Sequence, residues 1–264
     1  MNTPVFSLHQ GSIPLLISMP HVGTEIPADI LAQMEPVAQH LDDTDWHLPR
    51  LYDFAIGMGA SVLIPTYSRY VVDLNRPSDN ANLYPGQDTT SLCPVDTFHK
   101  APLYATGNQP TEAEIQRRVG LYWQPYHQAL QQEVARLKAL HGRVCIWEAH
   151  SILSHVPRFF EGQLPDFNFG TLNGNTCKPG LGEALLDVVS RYPAYTGVLN
   201  GRFKGGQITR AYGKPDEDIH SIQLELSQAT YMQESRPYPY LDEKASQVQP
   251  VIQDLLTTCL QQLA

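Results

Sequence analysis

Apolar runs of strand length alternate along the chain with segments whose apolar residues recur every three or four positions. The runs predict buried strands at residues 15–19, 61–64, 69–72, 144–150 and 219–226. The periodic segments predict helices from residue 26 onward and at residues 46–58, 111–141, 182–192 and 248–263. Because strands separated by helices fold into a sheet with helices on its faces, this pattern predicts an α/β protein.

The chain shows no internal repeat and no change of composition typical of a linker. We therefore expect a single three-layer domain over residues 1–264, with a central, mostly parallel or mixed sheet flanked by helices. Residues 77–108 and 154–180 are rich in turn-forming residues and predict two long loops. Long loops inside compact domains are often functional.

The composition narrows the class of protein. Of the 264 residues, 42% are hydrophobic and 17% are charged, which is typical of a globular core. The net charge of −9, without a run of like charges, argues against a nucleic-acid partner. No stretch approaches the roughly 20 apolar residues of a membrane span, and the first residues lack a signal-like pattern. Four cysteines without paired spacing indicate a reducing compartment, so we expect a cytoplasmic protein.

Two histidines follow predicted strands that are far apart in the sequence. His21 comes after the run that ends at Met19, and His150 closes the run that begins at Val144. Ligands of α/β sheets bind beyond the carboxyl ends of the strands, and histidine is the commonest protein ligand of zinc. The pair therefore indicates a metal site, although each histidine alone is more often an ordinary polar residue. The third ligand stays open from spacing alone, between Glu25, Asp43 and Asp45.

Arginines suggest a site for anions. Arg69 and Arg76 flank an apolar segment, and Asn75-Arg76 leads into the first long loop. An arginine fork matches a carboxylate with two hydrogen bonds, so Arg76 is a candidate clamp. The alternative is that Arg76 pairs with a structural aspartate such as Asp73. A glycine pair before Arg210 suggests either a loop that lends this arginine to a substrate anion or an ordinary turn.

Two carboxylates in predicted strands are candidate general bases. Glu225 alternates with apolar neighbours near the end of its strand, where it faces either a cleft or solvent. Beside an activated water it would accept a proton. Glu148 alternates onto the face of His150, but it lies deeper in its strand and ranks lower.

Taken together and in order, these motifs resemble those of the N-formylglutamate amidohydrolase family. Each piece alone is weak, but the ordered set spans residues 20–225 and is specific. The matching pieces are Pro20-His21-Val22-Gly23, Ile26-Pro27, Asp43-Thr44-Asp45-Trp46, Ser68-Arg69-Tyr70, Asp73-Leu74-Asn75-Arg76-Pro77, His150-Ser151, Gly205-Gly206 through Arg210, and Glu225. The family is distantly similar to the zinc carboxypeptidases and to aspartoacylase, which implies a phosphorylase/hydrolase-like α/β fold.

The resemblance implies a zinc ion held by His21, His150 and a third ligand. Carboxypeptidase-like sites have a glutamate three positions after the first histidine, where this chain has Thr24. Glu25 lies one position later, whereas the family's own motif contains the aspartate that matches Asp45. We favour Asp45 and keep Glu25 as the alternative.

The resemblance also implies the remaining roles. Glu225 is similar to the glutamate that activates water, and Arg69 to the arginine that stabilises the oxyanion. Asn75 and Arg76 are similar to the pair that binds a substrate carboxylate, with Arg210 as a further candidate. The implied reaction is zinc-dependent hydrolysis of N-formyl-L-glutamate, a small dicarboxylate, as the last step of a histidine degradation route. The alternatives are a related amidohydrolase acting on another N-acyl amino acid or peptide, and a non-catalytic carboxylate-binding protein.

Overall fold

A computed structural model describes residues 3–263 and contains one seven-stranded mixed sheet. The strands are β1 (Phe6–His9), β2 (Leu15–Ser18), β3 (Ser61–Pro65), β4 (Val144–Ile152), β5 (Phe167–Gly170), β6 (Gly197–Leu199) and β7 (Ile219–Ser227). Their order across the sheet is β1-β3-β2-β4-β7-β5-β6. The four middle strands from β3 to β7 are parallel, whereas β1 runs antiparallel to β3 and β5 antiparallel to β7. The predicted α/β fold with a central mixed sheet is confirmed.

Helices cover both faces of the sheet. They are α1 (Ala28–Leu31), α2 (Leu48–Leu51), α3 (Phe54–Gly57), α4 (Glu112–Arg118), α5 (Gln124–His141), α6 (Leu181–Ser190), α7 (Gln207–Tyr212) and α8 (Asp242–Gln262). Leu16 and Ile146 pack with α5 on one face, while Ile17 and Trp147 pack with α6 and α8 on the other. Neighbouring positions of β2 and β4 therefore face opposite cores, which explains the uninterrupted apolar runs at residues 15–17 and 144–147.

The long predicted helix at residues 111–141 is present with one interruption. Thr111 caps its start by accepting a hydrogen bond from the amide of Glu114, and Gly142 ends it with a φ of 72°. A π-helical turn at Val119–Trp123 joins α4 to α5 just before Gln124-Pro125. Proline supplies no amide hydrogen and its ring crowds the carbonyl four residues earlier, and the widened turn accommodates it. Among residues 3–263, no helix is both long enough and apolar enough to cross a bilayer.

Several predicted boundaries were wrong. Residues 69–72 form a turn, in which the amide of Val71 donates to the carbonyl of Ser68 at 2.9 Å, rather than a strand. The helix predicted at residues 46–58 is divided into α2 and α3. The segment at residues 154–180 is not entirely a loop, because it contains β5. Strands β1, β5 and β6 and helix α7 escaped prediction, since each has six residues or fewer.

Candidate metal and catalytic site

Three buried side chains meet at the carboxyl edge of the sheet. His21 follows β2, His150 lies near the end of β4, and Asp45 reaches them from the loop before α2. Oδ2 of Asp45 lies 3.8 Å from Nδ1 of His21 and 3.0 Å from Nδ1 of His150. The amide of Asp45 donates to the carbonyl of His21 at 3.1 Å, which ties the two segments together. All three ligand atoms lie within 4.8 Å of one another.

A buried carboxylate binds the other nitrogen of each imidazole. Nε2 of His21 lies 2.7 Å from Oδ1 of Asp73, and Nε2 of His150 lies 2.7 Å from Oε1 of Glu148. Each carboxylate is fixed in turn, Asp73 by Arg69 at 2.7 Å and Glu148 by the backbone amide of Thr209 at 2.9 Å. Such carboxylate–histidine pairs orient imidazoles so that their free nitrogens face a metal ion.

The electrostatics of the cluster favour a bound cation. Burial lowers the pKa of Arg69, but the buried carboxyl groups of Asp73, Asp45 and Asp43 raise it above its ordinary value. Burial and the charge of Arg69 lower the pKa of His21 to about 4, so its imidazole is neutral and able to ligate. Burial alone would lower the pKa of His150, but the Asp45 and Glu148 carboxylates raise it to about 10. The negative charge around His150 is thus balanced by a proton, a role that a divalent ion would take over.

The donor set fits zinc. Two imidazole nitrogens and one carboxylate oxygen form a three-ligand set of the kind that leaves a fourth position open. Glu25, the alternative third ligand, is exposed and lies outside this trio, and its backbone bridges to Tyr67 instead. The geometry thus brings Asp45, and not Glu25, to the two histidines.

A cavity opens beside the trio, at the carboxyl edge of the sheet where ligands of α/β proteins bind. It is lined by His21 and His150 and by Arg69, Asn75, Arg76, Arg202, Gln223 and Glu225. Glu225 comes from β7, where its Cα pairs in register with that of His150. Burial raises the pKa of Glu225 to about 8. The cavity therefore combines a proton-transfer group with several cationic and polar donors.

The predicted arginine segment is distributed around this cavity. Arg69 pairs with Asp73, and Nδ2 of the Asn75 side chain lies 3.1 Å from Nε2 of His150. Arg76 donates to the carbonyl of Thr90 at 2.9 Å rather than to Asp73. Arg210 does not line the cavity, because its Nε donates to the carbonyl of Gly205 at 2.8 Å.

Sequence reasoning missed several groups of the site. It did not single out Arg202 or Gln223, and it ranked Glu148 low because of its depth in the strand. The alternation in β4 was the signal for Glu148, since residues two apart share a face. Arg202 carried no comparable signal, because its position depends on contacts between distant loops.

Known proteins are similar to this chain over most of its length. A sequence profile described as N-formylglutamate amidohydrolase matches residues 13–232. An N-formylglutamate deformylase from Pseudomonas putida is 48% identical over 256 residues, which is 97% of this chain and 96% of the relative. An N-formylglutamate deformylase from Pseudomonas aeruginosa is 50% identical with the same coverage. The crystal structure of an N-formylglutamate amidohydrolase from Ralstonia eutropha JMP134 has a TM-score of 0.82 at 27% identity and covers 98% of both chains.

A gene product from Agrobacterium tumefaciens shares the fold, with a TM-score of 0.73 at 17% identity, and covers 98% of this chain and 95% of its own. Fold and site together define an α/β protein with a two-histidine, one-carboxylate cluster at the carboxyl edge of a mixed sheet. The chain belongs to the N-formylglutamate amidohydrolase family.

Proposed function

We propose that this protein hydrolyses the formamide bond of N-formyl-L-glutamate, releasing formate and L-glutamate, and that it does so with one bound zinc ion. The observation that carries the proposal is the buried His21–Asp45–His150 trio beside a cavity that also contains Glu225 and arginines. Family membership and the names of the two Pseudomonas relatives support the substrate. The resemblance also favours a place for this step at the end of a histidine degradation route.

His21, Asp45 and His150 would hold the ion, and Asp73 and Glu148 would keep the imidazoles oriented. When bound, a zinc ion polarises a carbonyl oxygen and makes a neighbouring water more acidic. The protein's part begins with Glu225, which accepts a proton from the water as the water oxygen bonds to the formyl carbon. The same carboxyl then protonates the departing amine as the carbon–nitrogen bond breaks. One water is consumed, and formate and an amino acid leave.

Arg69 would act on the developing charge. Its Nη2 is bound to Asp73, and its remaining donors border the cavity. A preorganised donor of this kind contributes about 3–4 kcal/mol to transition-state stabilisation. Asn75 and Arg76 would bind the α-carboxylate, because the Asn75 amide lies beside His150 and Arg76 follows it in the chain.

The test compares the release of free amino acid from N-formylglutamate, N-formylmethionine and N-acetylaspartate by the wild type and by Glu225→Gln. We expect the wild type to prefer N-formylglutamate, and Glu225→Gln to keep its zinc but lose at least about 100-fold in kcat. A preference for N-acetylaspartate would favour a related amidohydrolase with another acyl group. Binding without turnover would favour a non-catalytic carboxylate-binding protein.

A further inference from the structure

We infer that Arg202 forms a second carboxylate subsite in the cavity and that it selects dicarboxylic over monocarboxylic N-formyl amino acids. This inference deepens the proposed function and rests on it for the identity of the substrate. Arg202 lies between β6 and α7, outside every motif that the resemblance contains, and it lines the same cavity as the zinc ligands.

The guanidinium of Arg202 is held by two backbone carbonyls. Its Nε donates to the carbonyl of Phe159 at 2.6 Å, and its Nη2 donates to the carbonyl of Asp88 at 3.3 Å. Within residues 3–263, no carboxylate oxygen lies within 4.0 Å of it. The side chain of Asp88 pairs instead with Lys100 at 2.9 Å and with Arg158 at 2.9 Å. Two carbonyls thus fix Arg202, while its Nη1 and one hydrogen of Nη2 stay free for an anion.

Three aromatic rings hold the guanidinium in position. The ring centres of Tyr84, Phe159 and Phe203 lie 5.7, 5.6 and 5.4 Å from its central carbon. The hydroxyl of Tyr84 is itself fixed, since it donates to the carbonyl of Gly205 at 2.8 Å. Arginine stacked on aromatic rings loses little freedom when it binds a ligand, so it is a preorganised donor.

A second arginine, Arg76, lines the same cavity and adds a second positive charge to it. Arg76 also lacks a carboxylate partner among the described residues, and its three hydrogen bonds go to Thr90 and to its neighbour's carbonyl. Burial lowers the pKa of Arg202, and the charge of Arg76 lowers it further. Each of these two positive charges calls for a counterion in the cavity. A dianion supplies one negative charge to each guanidinium, whereas a monoanion leaves one guanidinium without a counterion.

The two arginines are held by different parts of the chain. Arg76 is next in sequence to a residue that contacts His150, whereas Arg202 is held by the two long loops. Arg76 follows Asn75, whose amide contacts His150, so Arg76 suits the α-carboxylate beside the formamide. Arg202 is anchored on carbonyls of the two long loops, at Asp88 and Phe159. It therefore suits the side-chain carboxylate, which is two carbons farther from the formamide than the α-carboxylate. The loops thus contribute the group that distinguishes glutamate from other amino acids.

The test uses Arg202→Met, which keeps the contact with the rings and removes the charge, on the zinc-loaded enzyme. Arg202→Lys keeps the charge without the fork, and Arg191→Met, on the exposed surface, is the control for the loss of one charge. Kinetics are measured with N-formylglutamate and with its neutral isostere N-formylglutamine. We expect Arg202→Met to lose about 10- to 100-fold in kcat/KM for N-formylglutamate, mainly through KM, and to change less than about threefold with N-formylglutamine.

Arg202→Lys should fall between Arg202→Met and wild type, and Arg191→Met should match wild type. Equal losses for both substrates, or unchanged discrimination, would overturn the subsite. Calorimetry with glutarate and butyrate tests it without turnover: Arg202→Met should weaken glutarate binding about 10-fold or more and leave butyrate unchanged. If glutarate binding depends on Arg202 but wild type hydrolyses neither formyl compound, the proposed function fails while the dicarboxylate subsite stands. If glutarate binds Arg202→Met as tightly as wild type, the subsite fails.

Discussion

Asp73 contacts both His21 of the proposed metal site and Arg69, the arginine proposed to stabilise the oxyanion, and its substitution by asparagine tests that link. Oδ1 of Asp73 accepts hydrogen bonds from His21 at 2.7 Å and from the backbone amide of Asn75 at 2.9 Å. Its Oδ2 accepts from Arg69 at 2.7 Å. Burial raises the pKa of Asp73, but His21 and Arg69 hold it well below its ordinary range, so the side chain is ionised. Asp73→Asn keeps the shape, removes the charge and turns an amide group toward donors.

The expected losses follow from this geometry. Breaking a buried ion pair by neutralising one partner costs about 3–5 kcal/mol, because the charge of Arg69 stays buried without compensation. The ring of His21 also loses the acceptor that orients it, and losing such a partner weakens metal binding by about 10- to 100-fold. The two effects are separable, because the first acts on folding and the second on zinc.

Zinc affinity is measured by competition with a chromogenic chelator, and stability by urea unfolding of the same preparations. The control is Glu133→Gln, which neutralises another buried carboxylate, one paired at 2.6 Å with the partly exposed Arg136 on α5. We expect both variants to lose stability and only Asp73→Asn to lose zinc affinity. Wild-type zinc affinity in Asp73→Asn would refute the orienting role of this carboxylate.

Two further predictions concern packing and pH. In Gly206→Ala the new Cβ would lie 2.3 Å from Nδ2 of Asn75, so that amide must move; we expect kcat/KM to fall about 100-fold, whereas Gly57→Ala, with open space around it, should match wild type. Equal activity of the two variants would show that Asn75 has no positioning role. Burial lowers the pKa of His127 to about 4 from its ordinary 6.5, so the unfolded chain binds the extra proton between these values. The free energy of unfolding should therefore be largest above pH 6.5 and fall by about 3 kcal/mol as the pH drops toward 4. His127→Gln should remove this part of the pH dependence, as measured by urea unfolding at several pH values. An unchanged pH dependence in His127→Gln would contradict the prediction.

The parts of the fold that could be predicted are those whose residues face two cores. β4 and β7 are buried along nearly their whole length; β4 begins with four consecutive apolar residues, whereas β7 alternates apolar with polar residues near its end. The turn at residues 69–72 is equally apolar because it is buried, and burial alone does not distinguish a turn from a strand. β5 and β6 have four and three residues, too few for a periodic pattern.

The site was predictable where topology alone brings residues together. His21 and His150 meet because parallel strands end at the same edge of the sheet. Asp45 followed only from the resemblance, since a loop residue has no register with the strands. Arg202 could not be predicted, because its position depends on carbonyls of residues 88 and 159 in two separate loops.

The central claim is that His21, Asp45 and His150 together bind the ion that the reaction needs. Its most direct test is the zinc content of purified wild type, Asp45→Ala and Glu25→Ala, measured by mass spectrometry of the metal beside N-formylglutamate hydrolysis. We expect one zinc per chain and full activity in wild type and in Glu25→Ala, and loss of both in Asp45→Ala. Full zinc occupancy in Asp45→Ala, or its loss in Glu25→Ala, would contradict this metal site.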